Sequence, residues 1–309
     1  MDIIFMGTPG FAVPALKKLN EKHNIVLVVT QPDRVNSRGN KVTYNPVKQT
    51  ALDLGLEIFQ PESINTDESV EYLKQFPCDM IVVVAYGQII RKNVRDIPKI
   101  NIVNIHASLL PKYRGAAPIN WAIIDREVKT GVSIMQVGEG LDTGDVYLTR
   151  ETVVGSKTVG ELFDELSILG AEGIDAYMEL DNESQLNGVK QDDKLSSHSP
   201  KIYKEMGHLK FDEYDVNRII GLVKGLSPKP GAYVNYKDQT MKIINGEIDS
   251  NLNYDGQLGQ IVNITNTDFT IKCIGGNIVV NTIQMPNKKI MSVEDYLRGN
   301  SIEIDVLLA

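Results

Sequence analysis

Along the first 180 residues, short strand-like runs rich in apolar residues trade places with stretches whose apolar positions recur at helical spacing. Strands are predicted over 2–6, 25–29, 57–59, 80–84, 100–105, 132–137 and 146–152, of which 25–29 and 80–84 are apolar throughout. Strands that are apolar throughout are those buried on both faces. The helical spacing predicts helices over 11–19, 47–54, 67–76, 119–125 and 158–180, the first with Ala12, Ala15, Leu16 and Leu19 on one side. Strands alternating with helices make βαβ units, so the fold class is α/β: a Rossmann-like, mainly parallel sheet with helices on both faces. Ligands of such sheets sit outside the carboxyl ends of the strands, so polar residues just after a strand carry most of the functional information.

From about residue 181 the pattern changes. Residues 181–200 are polar and read as a linker or surface loop, and a helix is predicted over 216–223. Short strands follow over 231–236, 241–244, 260–264, 269–274 and 278–283, with no crossover helix between them. That spacing predicts a small C-terminal β-barrel of the OB-like kind. The expected organisation is a catalytic domain over 1–189, a linker over 190–207 and the barrel over 208–309.

Composition narrows the class. The chain has 309 residues, 42% hydrophobic and 23% charged, which are ordinary globular values and exclude disorder. No apolar run approaches the roughly 18 to 20 residues of a bilayer-spanning helix, and the first residues lack a basic stretch and cleavage site, so no membrane association and no signal peptide are expected. Cys78 and Cys273 lie far apart, with neither a CxxC motif nor a disulfide framework, which suits a reducing cytoplasm. The net charge of -8 argues against coating nucleic acid by bulk electrostatics. Residues 200–309 nonetheless hold 12 basic against 13 acidic side chains, so local patches decide whether a polyanion can bind.

Three polar segments follow strands. Gly7-Thr8-Pro9-Gly10 opens a helix, but two residues separate its glycines and Pro9 removes an N–H donor, so it is a tight turn rather than a dinucleotide fingerprint. In 101–111, Asn104 and His106 stand two residues apart and project from one face at the strand's carboxyl end. A lone histidine beside an apolar run is ordinarily a satisfied core residue; the paired asparagine and the strand-end position favour a functional one. In 138–145, Asp142 stands between Gly140 and Gly144, an ordinary turn setting that also lets backbone approach a flat ligand closely. Asparagine, histidine and aspartate together suit attack of an amine on a carbonyl: two donors for the oxyanion, each worth roughly 2.7–4 kcal/mol in a dry site, and a carboxylate for the proton. Ser108 lacks a nucleophile elbow, and the four histidines show no metal-ligand spacing. The residues therefore point to direct, metal-free acyl or formyl transfer.

The ordered stretches Phe5-Met6-Gly7-Thr8-Pro9, Thr30-Gln31-Pro32-Asp33-Arg34, Ala85-Tyr86-Gly87-Gln88-Ile89-Ile90, 104–118 and Gly140-Leu141-Asp142-Thr143-Gly144-Asp145 resemble the methionyl-tRNA formyltransferases, within the formyltetrahydrofolate-dependent superfamily. The resemblance implies 10-formyltetrahydrofolate as donor and the α-amine of methionyl-initiator tRNA as acceptor; a cytoplasmic monomer is expected. It carries catalytic roles onto Asn104, His106 and Asp142, and folate contacts onto Gln88, Ile89, Ile90, Ser108, Leu109, Leu110, Pro111 and Gly140.

The superfamily also holds sugar-nucleotide and other small-molecule formyltransferases with the same three residues, and a non-catalytic Rossmann-like binding protein would share the fold. Two features favour tRNA. The segment 31–48 is long for a strand-to-helix connection and carries Arg34, Arg38, Lys41 and Lys48 against one acid, Asp33. It matches the family's acceptor-stem loop, with Arg38 inside Ser37-Arg38-Gly39. Residues 225–233 resemble the family's entry into its tRNA-gripping domain, although Lys229 stands where the family usually has Trp. Lys201, Lys204, His208, Lys210, Lys224 and Lys229 are its candidate phosphate contacts, and across the whole chain Arg34, Arg38 and Lys41 of the loop with Lys204 and Lys210 are the residues expected to bind tRNA. Arg38→Ala is expected to weaken use of charged tRNA in a formylation assay while leaving folate affinity unchanged; a fall in folate affinity would refute this division of labour.

Overall fold

A computed structural model describes residues 1–35 and 42–308. Two compact units make up the chain: Met1–Gly115 with Thr130–Thr152 and Phe163–His198, and Ala116–Lys129 with Val153–Leu162 and Ser199–Ala309.

Elements occur in the order β1 (Asp2–Gly7), α1 (Val13–Lys22), β2 (Asn24–Val29), β3 (Arg34–Val35), β4 (Val42–Thr43), α2 (Pro46–Asp53), β5 (Ile58–Phe59), α3 (Asp67–Lys74), β6 (Met80–Val84), α4 (Lys92–Arg95) and β7 (Asn101–His106). Then come β8 (Arg114–Gly115), α5 (Pro118–Ile124), β9 (Lys129–Gln136), β10 (Val146–Val153), α6 (Val159–Met178), α7 (Asn182–Leu186) and β11 (His198–Ser199). Seven strands form one sheet in the order β10-β9-β7-β6-β1-β2-β5. The pairs β1–β2, β1–β6, β2–β5 and β6–β7 are parallel, and β7–β9 is antiparallel. The mainly parallel sheet is thus as the apolar runs predict. Consecutive residues of β1 and β6, hence both faces, are buried. One face holds Ile4, Met6, Leu27, Val29, Ile81 and Val83 against Ile64, Leu73, Cys78 and Val94. Helix starts follow local chemistry: Asn45 accepts from the Lys48 N–H to cap α2, and Thr66 accepts from Ser69 to cap α3, whose first turn carries Asp67 and Glu68.

The polar tract 181–200 holds more structure than its composition suggests. It forms α7, and Gln185 and Gln191 within it are buried. Gln185 accepts at its backbone carbonyl from Asn101 (3.0 Å) and from the Tyr177 hydroxyl (2.9 Å). No described helix is long and apolar enough to cross a membrane.

The second unit contains α8 (Val216–Gly225), β12 (Ala232–Tyr236), β13 (Gln239–Asp249), β14 (Ile261–Ile264), β15 (Phe269–Cys273), β16 (Gly276–Gln284), β17 (Met291–Ser292) and α9 (Val293–Leu297). Its sheet runs β12-β13-β16-β15-β14, with β17 on β16, and the strand pairs are antiparallel. The strand expected over 241–244 runs on to Asp249, because Asn245-Gly246, which reads as a turn, sits instead at a break in register opposite β16. Glycine there admits close backbone: a Cβ at Gly246 would lie 2.6 Å from the Val279 carbonyl oxygen. Ile219, Val223, Leu226, Val234, Ile243, Phe269, Ile278 and Val280 form the core. Helix α5 packs on α8 across Gly221 and Gly225, one turn apart, and Asn120 Nδ2 donates to the Gly225 carbonyl (2.7 Å).

A Cβ at Gly221 would stand 2.4 Å from the Ile124 carbonyl oxygen, a backbone atom that cannot swing aside. Gly221→Ala should therefore destabilise the second unit by about 1–3 kcal/mol, read as a lower urea midpoint. An unchanged midpoint would show that α5 and α8 separate without penalty.

Candidate active site

Strand β7 lies between β6 and β9, with Asn104 opposite Val83 and Met135 and His106 opposite Ser133. His106 is 5% exposed. Its Nε2 lies 2.9 Å from the Tyr113 carbonyl oxygen. A carbonyl oxygen only accepts, so Nε2 carries the proton of this bond and donates it. Nδ1 is the nitrogen left for chemistry, 3.6 Å from Asp142 Oδ2. That separation exceeds a direct hydrogen bond but keeps the two atoms on a common reactive volume. The half-buried Asn104 makes no side-chain hydrogen bond to the described residues, so its amide donors stay available beside the same strand end.

Two loops complete the arrangement. In 108–115, the Ser108 hydroxyl donates to the Lys112 carbonyl (2.6 Å), and Ser133 Oγ donates to the Ser108 carbonyl (2.7 Å) while accepting from the Leu110 N–H (3.1 Å). Tyr113 has φ of 60°, and its N–H is held by Ser197 Oγ (2.9 Å). In 138–145, Asp142 has φ of 53°, a conformation that side chains adopt only when surroundings over-determine it. Its Oδ2 accepts from the Gly115 N–H (2.9 Å). Gly144 brings this loop onto β9, since a Cβ there would lie 2.0 Å from the Gln136 carbonyl oxygen. His106 and Asp142, from two separate segments, thus meet at the end of the strand that also carries Asn104.

The expected folate contacts divide. Leu109, Leu110 and Pro111 are half-buried on the loop beside His106, and Gly140 lies on the Asp142 loop with its backbone against Thr143. Ser108 is fully buried, with its hydroxyl committed inside its own loop. Gln88 accepts from the Ile64 N–H (2.8 Å) and donates to the Glu62 carbonyl (3.2 Å), pinning a neighbouring turn, and Ile90 belongs to the core. Ile89, 76% exposed, is the residue of that trio whose side chain is free to meet a ligand. Arg95, which the sequence did not single out, donates to the carbonyls of Ile90 (3.3 Å) and Gly138 (3.0 Å) and so ties the 85–91 and 138–145 loops together.

Of the basic candidates, Arg38 and Lys41 lie outside the described residues, and Arg34 opens β3, opposite Thr43 of β4. Lys48 is not a free cation: it forms an ion pair with Asp33, which also accepts from Gln60 Nε2 (3.1 Å). Burial pushes the Asp33 carboxyl up, and the bonds from Lys48 and Gln60 outweigh it, leaving the group below its ordinary range. Asn45 Nδ2 (3.1 Å) and Gln60 Nε2 (2.8 Å) both donate to the Gln31 carbonyl, so the segment's entrance is fastened to its exit. Within the second unit, Lys204 and Lys229 are exposed, and Lys210 pairs with Glu213 at 3.0 Å. Lys201 lies over the Tyr203 ring, His208 stacks on Tyr233, and Lys224 donates to the Ser156 carbonyl (2.9 Å), where burial lowers its pKa.

Residues 1–174 match the formyl transferase family, and residues 201–301 match the formyl transferase C-terminal domain. The chain belongs to the formyl transferase family. Its relatives include the methionyl-tRNA formyltransferases of Clostridium novyi (strain NT), 43% identical over 310 residues with both chains covered completely, and of Ruminiclostridium cellulolyticum, 43% identical with 98% of each covered. Among solved structures, an N-formyltransferase from Helicobacter canadensis in complex with folinic acid and dTDP-3-aminofucose has a TM-score of 0.68 at 18% identity, over 92% of this chain and 99% of that one. A methionyl-tRNA formyltransferase from Clostridium thermocellum has a TM-score of 0.54 at 19% identity, over 81% and 95%. These structures establish the fold shared by the family; the sequence relatives establish a formyl-transferring enzyme.

Proposed function

We propose that this formyl transferase moves the formyl group of 10-formyltetrahydrofolate to the α-amine of methionyl-initiator tRNA, as a cytoplasmic monomer. The observation that carries the acceptor is the match, from end to end of the chain, to proteins named methionyl-tRNA formyltransferase at 36–43% identity. The folate donor is supported by family membership and by relatives of the same fold solved with tetrahydrofolate or folinic acid. In this reading residues 1–189 perform the chemistry, with Ile89, Leu109, Leu110, Pro111 and the Gly140 backbone beside the folate. Residues 208–309 hold the tRNA, aided by Arg34, Arg38, Lys41 and Lys204.

The neutral amine attacks the formyl carbon, forming a C–N bond as the carbonyl π pair moves onto oxygen. Asn104 donates to that oxygen from Nδ2. His106, with Nε2–H given to Tyr113, donates from Nδ1 as the imidazolium. Asp142 accepts the proton lost by the amine, directly or through water, from a carboxylate steadied by the Gly115 N–H. Collapse restores the carbonyl, breaks the bond to N10 and returns a proton to the leaving tetrahydrofolate. The ring is oriented by the Tyr113 carbonyl, so Asp142 serves charge and proton transfer.

The reading is tested by supplying radiolabelled 10-formyltetrahydrofolate with methionyl-initiator tRNA, methionyl-elongator tRNA or an amino-sugar nucleotide. Label is expected on the initiator tRNA, and label on the sugar alone would overturn the acceptor assignment. Asn104→Ala and His106→Ala should each slow single-turnover formyl transfer by about 10² or more. Near-native rates in both would remove them from the chemistry.

A further inference from the structure

Gln191 lies in the polar tract between α7 and β11, yet it is 8% exposed. Its Nε2 donates to the carbonyls of Asp142 (2.9 Å) and Gly144 (2.7 Å), and its Oε1 accepts from Arg114 Nε (3.0 Å). Both donors and the acceptor of the carboxamide are thus engaged. Arg114 stands between Tyr113, whose carbonyl receives His106 Nε2–H, and Gly115, whose N–H holds Asp142 Oδ2. Arg114 is itself steadied by Asp193 at 2.8 Å.

From this arrangement we infer that Gln191 is a positioning residue: it locks the Asp142 loop to the 113–115 segment and so sets the distance between Asp142 Oδ2 and His106 Nδ1. The inference rests on the catalytic reading of Asp142 given above. The reasoning is geometric. Asp142 sits in a left-handed conformation that its own chain does not favour. Arg95 holds the Gly138 end of the loop and Gly144 packs its other end on β9, so among the described residues the middle of the loop, at Asp142, meets the 113–115 segment directly through one carboxylate–amide bond. Gln191 adds a second attachment, at the Asp142 carbonyl and two residues further on. An amide is the group the place requires: two carbonyl oxygens call for two N–H donors, and a guanidinium N–H calls for an acceptor. A carboxylate there would set like partial charges against both carbonyls, and an apolar side chain would leave three polar groups without partners. Placement matters at this scale because an error of about 1 Å in a reacting group can slow a step by about 10².

The test is kinetic and uses the full chain. In Q191M, which fills the same space without hydrogen bonds, kcat for formyl transfer is expected to fall about ten- to a hundredfold. KM for folate and for charged tRNA should each stay within about threefold, with the fold intact by circular dichroism. Q191E keeps the bond to Arg114 while removing both donations, carries the same expectation, and replaces Q191M should that variant not fold. The decisive comparison is with D142N. If Gln191 acts through Asp142, the second substitution adds little to the first, because coupled residues are not additive. Native kcat in a folded Gln191 variant, or losses that multiply in the double variant, would overturn the inference. Native kcat in D142N alone would instead overturn the role given to Asp142.

Discussion

One main-chain carbonyl disciplines this site. By accepting from Nε2 of His106, Tyr113 fixes the tautomer of a buried imidazole and turns Nδ1 towards Asp142. A histidine at a strand end has two ring orientations open to it, and a side-chain carboxylate at 3.6 Å is too distant to choose between them. The carbonyl chooses. It does so because the 108–115 loop is itself overdetermined: Ser108 closes it internally, Ser133 holds two of its backbone groups from the neighbouring strand, and Ser197 holds the Tyr113 N–H. The unusual φ of Tyr113 is maintained by these bonds rather than by local preference, and that of Asp142 by the Gly115 N–H and the Gln191 amide.

The same logic explains what was legible in the sequence. Fully apolar runs mark buried parallel strands because a strand covered on both faces has no polar side to show, and β2 and β6 were readable on that ground. Asn104 and His106 stood out because polarity at the end of such a run must be satisfied or used. Asp142 was readable from its glycines: Gly144 is there because the loop presses onto the Gln136 carbonyl. Three contributors left no readable signal. The Tyr113 carbonyl belongs to the backbone and could sit on any residue type. Gln191 and Arg95 lie in segments whose composition is that of ordinary surface, and only tertiary structure brings their donors to the carbonyls of Asp142 and Gly138. Ser108 and Gln88 illustrate the opposite case. They lie in stretches shared with the family, but their polar atoms are occupied in holding turns, so the shared sequence there reflects the shape of the loop as much as contact with a ligand.

Charge obeys a similar rule. Counting basic residues over 31–48 suggests a cationic loop, but Lys48 is neutralised by Asp33 at its base, and the pair serves to fasten one end of the segment to the other. In the second unit Lys210 pairs with Glu213, and Arg298 with Glu294 and Asp295, whereas Lys204 and Lys229 have no acidic partner among the described residues. On a chain of net charge -8, it is the uncommitted cations, not the total, that set the field a phosphate backbone meets. The placement of His106 and Asp142 rests on a different footing: the Tyr113 carbonyl and the Gly115 N–H that hold them are main-chain groups, which a change of ionic strength leaves in place.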